Sequence, residues 1–272
     1  MPWWEALLLA VVQGLTEFLP VSSSAHLALL QAGMGDFDLS FSILLHLGTL
    51  VSLLIYFRAD FLRILRGLLP RREPPPGPGP FAEGAVAYLA LLGAAMVPTG
   101  VIGPLLKRAT VAASGRPAWM GAFLLVTGGI LLLPRWVPGR PSPRAEVRLW
   151  QALLIGSVQG MAVLPGISRS GSTIVAGILA GLDPVRAARF SFHLSVPAIL
   201  GAAAYEGFGA GSLRGWLSPP ALLGFAVAAA TGLAAIDLLL RLISRRRLEI
   251  FSLYCAVLGA AVLLLSLRSG SW

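Results

Sequence analysis

Six stretches of the chain are long and apolar enough to cross a lipid bilayer, and they constrain its fold more than any other feature. A helix needs about 20 apolar residues, and about 17 at the least, to span the hydrocarbon core. Hydrophobic residues make up 56% of the 272 residues and charged residues only 12%, which leaves too few polar side chains to cover a soluble globule. We therefore predict an all-α polytopic membrane protein, with a single transmembrane domain over residues 1–272 and six transmembrane helices. The six predicted spans are 40–57, 84–106, 117–134, 186–206, 218–240 and 248–267.

Two further apolar segments are interrupted in the middle. The first, residues 3–31, is cut by Pro20 and the serine triplet that follows it, and the second, residues 150–182, is cut by Pro165 and Gly166. Neither half of either segment is long enough to span comfortably, and unwound backbone is tolerated at membrane depth only where it lines a cavity in the protein. The pattern predicts two re-entrant helical hairpins.

The two interrupted segments also look like copies of each other. A Gln-Gly pair precedes each break, at 13–14 and at 159–160, and three predicted spans follow each hairpin. A hairpin returns to the side from which it came and three spans end on the opposite side, so the second copy must enter the membrane upside down. We therefore expect an inverted-topology repeat, with repeat 1 at about residues 1–134 and repeat 2 at about residues 148–268.

Lysine and arginine residues divide unequally between the loops. Most of them fall near residues 58–72, 135–148, 186–189 and 241–247. Loops rich in these residues stay in the cytoplasm, so we expect a multi-pass membrane protein with both termini outside. The Pro-rich segment 71–80 has the composition of a cytoplasmic linker. The net charge of +9 thus reflects membrane topology, and nucleic acid is not an expected partner.

Polar side chains gather at both breaks, although an unpaired polar group at membrane depth costs on the order of several kcal/mol. Helix N-termini, clustered hydroxyl groups and one arginine suit a phosphorylated ligand. The sequence therefore predicts that the two breaks build one phosphate-binding site. Its predicted substrate-binding residues are Gln13, Ser22, Ser24, Ser168, Ser170, Ser172 and Thr173.

The same residues suit the breaking of a phosphoanhydride. A serine hydroxyl of the first break could attack the terminal phosphorus, His26 could move its proton, and Arg169 could stabilise charge on the phosphoryl oxygens. Glu17 and Gln13, four residues apart on one helix face, could hold a divalent cation, Mg²⁺ or Ca²⁺, because these ions prefer oxygen ligands. Glu17 is thus predicted to be both catalytic and a metal ligand.

Structural roles compete with these functional ones. Ser22 and Ser24 would also serve as helix caps, and Glu17 and Arg169 would also serve as a buried ion pair between the hairpins.

Three other polar residues within the predicted spans receive no chemical role. His46 and His193 have no acidic residue near them in the sequence, so we expect them to pack or to line the pocket. Asp237 is expected to pair with Arg241, one helical turn further on.

Two long motifs carry a family resemblance. They read QGLTEFLPVSSSAH at 13–26 and PGISRSGST at 165–173. In these motifs, and over essentially its whole length, the chain resembles the undecaprenyl pyrophosphate phosphatase family, also called the bacitracin-resistance family. The resemblance implies removal of the terminal phosphate from undecaprenyl pyrophosphate, a polyprenyl lipid, to give the carrier used in peptidoglycan synthesis. It also implies a location in the bacterial inner (cytoplasmic) membrane and a site open to the periplasmic side, with the family's serine, histidine and arginine at Ser23, His26 and Arg169. The spacing leaves Ser23, His26 and water open as the nucleophile, and we favour Ser23.

The chain departs from the family pattern at two positions. The family's first motif has Glu or Gln, three residues, and then Glu, so the resemblance places its acidic, metal-binding role on Gln13 and Glu17. Gln13 is the neutral option, which puts a two-carboxylate metal site in doubt, and Ala25 stands where glycine is commoner.

A different class of protein shares this architecture. Secondary transporters also build a midplane site from paired broken helices, so a transporter or flippase for a phosphorylated lipid or a small anion is the alternative, and it predicts movement without hydrolysis. In either case membrane lipids surround the chain, and a homodimer is compatible with the sequence.

Overall fold

Every regular element in the computed structural model is a helix within the residues that it describes, which are 1–34, 39–69, 84–136, 146–207, 218–245 and 247–269. The helices are α1 Trp3–Phe18, α2 Ser23–Met34, α3 Leu39–Tyr56, α4 Arg58–Gly67, α5 Ala85–Leu105, α6 Lys107–Ser114, α7 Pro117–Leu132, α8 Leu149–Met161, α9 Arg169–Leu179, α10 Pro184–Gly207, α11 Pro219–Ser244 and α12 Glu249–Ser269, with a short 3₁₀ turn at Leu133–Trp136. The predicted all-α class is confirmed. The predicted linker at 71–80 lies outside the described residues.

Four helices in the described part of the chain are long and apolar enough to cross a membrane: Ala85–Leu105, Pro117–Trp136, Pro219–Ser244 and Glu249–Arg268. A fifth candidate consists of Ser40–Tyr56 together with Arg58–Gly67, which are bent by 70° at the break between them. Length and composition therefore support four or five of the six predicted spans.

The stretch at 186–206, predicted as a span, is helical but is not among these candidates. It forms most of α10, and several of its polar side chains are buried inside the protein, including Ser191, His193 and Ser195. The Ser191 hydroxyl, for example, lies 2.6 Å from that of Thr173 on α9. A helix enclosed by protein can carry polar groups that a lipid-facing helix cannot, because neighbouring helices satisfy their hydrogen bonds.

Both interrupted segments form pairs of short helices. The pair α1 and α2 is broken at residues 19–22, and the pair α8 and α9 is broken at 162–168. The two helices of each pair contact each other.

Helices from one half of the chain pack against helices of the other half. Helix α1 packs on α11 and α8 packs on α5, while α7 and α12 pack on each other. Glycines allow these close approaches: a Cβ on Gly14 would lie 2.7 Å from the Ala228 carbonyl oxygen, and one on Gly121 would lie 2.9 Å from the Gly259 carbonyl oxygen. The first helix of each broken pair therefore rests on a long helix from the other half.

Candidate active site

The first break brings the chain into an unusual backbone conformation at Ser22. Its φ of +68° lies in the left-handed region, where residues other than glycine are uncommon. The residue is only 3% exposed, and its hydroxyl oxygen accepts a hydrogen bond of 3.2 Å from the backbone N–H of Gly166. A contact from the second break thus holds the turn of the first.

The second break also depends on its local sequence. Gly166 has a φ of +106°, and a Cβ there would lie 2.6 Å from the Met120 carbonyl oxygen, so the turn needs glycine. Ser168 then caps α9, because its side chain accepts a hydrogen bond of 3.1 Å from the backbone N–H of Gly171. Helix α9 therefore begins with Arg169 at its first residue, facing the first break.

Two further contacts join the breaks. The Arg169 guanidinium forms an ion pair with the Glu17 carboxylate, and the Ser170 hydroxyl donates a hydrogen bond of 3.2 Å to the Leu19 carbonyl oxygen. The polar residues of both segments thus form one cluster.

Glu17 is the centre of this cluster. Its residue exposure is 6%, and its Oε2 atom accepts hydrogen bonds from Gln13 Nε2 at 2.9 Å and from the Ser23 hydroxyl at 2.7 Å. Arg169 binds the other carboxylate oxygen. The partner of the Ser23 hydroxyl is therefore a buried carboxylate, which can act as a proton acceptor.

Several buried polar atoms of the cluster have no hydrogen-bond partner within the described residues. They include Gln13 Oε1, Arg169 Nη1 and Ser172 Oγ. Buried polar groups are nearly always satisfied in folded proteins, so such atoms point to a missing ligand. A phosphate oxygen would satisfy the guanidinium N–H, and a cation would satisfy the amide oxygen.

His26 lies beside the cluster but faces away from Ser23. Its Nδ1 is 2.8 Å from the Ser22 carbonyl oxygen, and its Nε2 is 2.7 Å from the hydroxyl of Tyr254 on α12. The two rings are stacked, with centroids 5.7 Å apart and an interplanar angle of 8°. Sequence reasoning missed Tyr254, because nothing in an apolar span more than 200 residues from His26 identifies it as a neighbour of the site.

Two predicted site residues remain, Ser24 and Thr173, and their hydroxyl groups make different contacts. The Ser24 hydroxyl lies 3.1 Å from that of Ser22 and is exposed at the surface of the cluster. The Thr173 hydroxyl donates to the Arg169 carbonyl oxygen at 2.7 Å and contacts Ser191 on α10. Thr173 thus joins α9 to α10, and its hydroxyl makes no contact with Glu17.

Both histidines have acidic neighbours in space, although no acid lies near them in the sequence. His46 Nε2 lies 3.7 Å from Glu17 Oε2, and His193 Nε2 lies 3.5 Å from Asp60 Oδ2. Both acids come from other helices, so sequence distance gave no sign of them. His46 therefore lies at the Glu17 cluster, and the sequence did not reveal its acidic partner.

Asp60 belongs to a second cluster of polar side chains, which does not include Glu17. Arg189 lies 2.8 Å from its carboxylate and Arg63 lies 3.6 Å away, while the Tyr88 hydroxyl contacts Nδ1 of His193 at 2.7 Å. The cluster ties α4, α5 and α10 together.

The predicted pair of Asp237 and Arg241 is confirmed, with an N–O distance of 2.6 Å.

A metal site at Glu17 would have few protein ligands. Within the described residues no group of three or more His, Cys, Asp or Glu side chains is arranged to hold an ion. The unsatisfied Gln13 Oε1 beside the Glu17 carboxylate nevertheless offers two oxygen donors of the type that Mg²⁺ and Ca²⁺ prefer. Substrate oxygens and water would have to complete the coordination.

Comparisons with known proteins agree with the motifs. The family described as "Bacitracin resistance protein BacA" matches residues 6–261. The chain is 41% identical to an undecaprenyl-diphosphatase of Desulfatibacillum aliphaticivorans, over 97% of this chain and 98% of the relative. It is 38% identical to one of Methanobrevibacter smithii, over 95% of each, and 38% identical to one of Korarchaeum cryptofilum, over 95% of this chain and 97% of the relative. The resemblance seen in the sequence is therefore confirmed, and the chain belongs to the bacitracin resistance protein BacA family.

Proposed function

We propose that this chain is an integral membrane phosphatase that hydrolyses undecaprenyl pyrophosphate to undecaprenyl phosphate and inorganic phosphate. The relatives named above are undecaprenyl-diphosphatases. One observation carries the assignment to this site: the Ser23 hydroxyl donates to the buried Glu17 carboxylate at 2.7 Å, and that carboxylate is paired with Arg169. A nucleophile (Ser23), a base (Glu17) and a positively charged side chain that can bind phosphate (Arg169) thus lie together.

When the substrate binds, the Arg169 guanidinium gives up its ion pair with Glu17 and binds the phosphate oxygens instead. Its planar fork suits two phosphoryl oxygens, and Nη1 is already without a protein partner in the described part of the chain. The N-terminus of α9 adds positive potential at the same place. Departure of the guanidinium also leaves the Glu17 carboxylate more basic.

Ser23 then attacks the terminal phosphorus while Glu17 Oε2 accepts its proton. A bond forms between Ser23 Oγ and phosphorus, and the bond from phosphorus to the bridging oxygen breaks. Undecaprenyl phosphate leaves with the electron pair of that bond. Water then cleaves the phosphoserine, which restores the Ser23 hydroxyl and releases inorganic phosphate.

His26 remains the predicted proton shuttle, but its geometry limits how it acts. Nδ1 faces the Ser22 carbonyl oxygen, which only accepts hydrogen bonds, so proton exchange takes place at Nε2. With Nδ1 protonated, His26 would first take up a proton from solvent at Nε2, and it would then donate that proton from Nε2 to the departing phosphate oxygen.

A divalent cation, Mg²⁺ or Ca²⁺, fits the same proposal. Glu17 and Gln13 would hold it, and when bound it would neutralise charge on the phosphate oxygens.

The proposal includes the finer topology predicted from sequence: six spans and two re-entrant hairpins in an inverted repeat. The reciprocal packing of α1 on α11 and of α8 on α5 supports it, because a pseudo-two-fold axis would generate both contacts. In this topology the site opens toward the periplasmic side of the cytoplasmic membrane. There the enzyme would recycle the lipid carrier for peptidoglycan synthesis and so confer resistance to bacitracin.

The test separates a phosphatase from a flippase. Purified protein in detergent is given undecaprenyl pyrophosphate with Mg²⁺ or Ca²⁺, or with chelator, and phosphate release is measured. Protein in vesicles is given the same lipid labelled on one leaflet, and its movement is followed. Cation-dependent phosphate release supports the phosphatase, whereas lipid movement without release from folded protein would favour the transporter.

A further inference from the structure

Tyr254 carries a hydroxyl group in the apolar helix α12. A phenolic hydroxyl within such a helix is expensive unless it is hydrogen-bonded. Its partner is His26 Nε2, at 2.7 Å, and the two rings stack almost in parallel. One residue of a distant helix therefore makes both a polar and an aromatic contact with a single side chain of the candidate site.

The position of α12 at this break is fixed by neighbouring contacts. Cys255, the next residue, lies against the first break with its sulfur 3.6 Å from the Pro20 carbonyl oxygen. Ser252 donates a hydrogen bond of 2.7 Å to the Gly128 carbonyl oxygen on α7. Tyr254 thus meets His26 from a helix that is anchored on both sides, so the contact belongs to the packing of the protein.

The hydrogen bonds of His26 determine its tautomer. Because the Ser22 carbonyl oxygen only accepts, Nδ1 must carry a proton. In the neutral imidazole Nε2 is then the basic nitrogen, and it accepts from the Tyr254 hydroxyl. Any proton that His26 takes up or gives away passes through the nitrogen that Tyr254 contacts.

We propose that Tyr254 is a positioning residue for the phosphatase reaction: its hydroxyl and ring fix the orientation of the His26 ring, whose tautomer is set by Ser22, so that Nε2 stays in place to exchange a proton. The inference rests on the proposed function, since positioning matters only if His26 moves a proton. Tyr254 acts through His26 and takes no part in binding the phosphate. Almost half of its surface is exposed, so the hydroxyl can exchange its partner when substrate enters.

The test compares Tyr254→Phe, which keeps the ring and removes the hydroxyl, with Tyr254→Leu, which removes both. We expect Tyr254→Phe to lower kcat about tenfold with KM within about twofold, since a shuttle is worth more than this in total, and Tyr254→Leu to lower kcat further. Tyr205→Phe is the matched control, because the Tyr205 hydroxyl contacts Lys107 at an exposed edge of the protein. It should leave kcat unchanged.

The second readout is ¹⁵N NMR of protein labelled at histidine, of which the chain has only three. We expect the His26 Nε2 resonance to move in Tyr254→Phe while Nδ1 stays protonated. Wild-type kcat in folded Tyr254→Phe, or lower kcat with an unmoved Nε2 resonance, would overturn the proposal. If the wild type releases no phosphate, the proposed function fails, and the spectrum still reports whether Tyr254 binds His26.

Discussion

Glu17 Oε2 accepts a hydrogen bond from the Ser23 hydroxyl at 2.7 Å across the break that separates α1 from α2. The Pro-Val-Ser turn between them does not separate the two side chains, because the left-handed conformation of Ser22 folds α2 back toward the end of α1. The strained turn therefore creates the pairing of nucleophile and base. Backbone strain of this kind, held by surrounding contacts, is typical of functional sites.

The planar fork of Arg169 is expected to be essential for phosphate binding. Arg169→Lys keeps the positive charge opposite Glu17 but loses the paired N–H donors, so we expect kcat to fall about 100-fold while the protein stays folded. Arg108→Lys, at an exposed position on α6, is the control. Phosphate release with the thermal unfolding midpoint measured in parallel checks this, and near wild-type kcat for Arg169→Lys would argue against the role.

Gln13→Glu tests the cation site. Gln13 donates to Glu17 at 2.9 Å, and a second carboxylate there would repel the first unless a cation lies between them. We expect activity without added cation to fall, and the Mg²⁺ or Ca²⁺ concentration for half-maximal activity to fall at least several-fold. An unchanged cation dependence would mean that these two residues do not bind the ion.

The Asp60 cluster is expected to stabilise the fold. Asp60→Asn removes the buried carboxylate that Arg189 contacts at 2.8 Å, and because the Arg189 side chain is itself 37% exposed, we expect a loss of about 1–3 kcal/mol. Asp237→Asn breaks a half-exposed pair and should cost about 1 kcal/mol or less. Denaturant unfolding of the two variants measures the difference, and equal losses would contradict it.

The inverted topology predicts which positions can be labelled from each side. In a Cys255→Ala background, a cysteine placed at Ser114, after α5, should react with an impermeant thiol reagent added outside intact cells. One placed at Ser244, at the end of α11, should react only after the membrane is opened. Both positions are exposed. Labelling of both from the same side would contradict the predicted topology.

The sequence predicted the breaks well because proline, glycine and serine act locally. The breaks at 19–22 and 162–168 contain the predicted interruptions at Pro20 and at Pro165 and Gly166, and the residues nearest the breaks, Glu17, Ser23 and Arg169, lie together.

Sequence patterns could not predict contacts between helices that are far apart in the chain. His46 approaches Glu17 from α3, and Tyr254 approaches His26 from α12. The predicted span at 186–206 shows the same limit: its polar residues are explained by burial among other helices, which hydropathy along the chain does not reveal.

The most direct test of the account is phosphate release from undecaprenyl pyrophosphate by folded Ser23→Ala and Glu17→Gln, measured against wild type and against Ser157→Ala. Ser157 is a partly exposed residue of α8 whose hydroxyl contacts only its own helix among the described residues. We predict that wild type and Ser157→Ala release phosphate at the same rate, and that both site variants lose at least about 1000-fold in kcat. Release at the wild-type rate by folded Ser23→Ala would contradict the assignment of Ser23 as the nucleophile activated by Glu17.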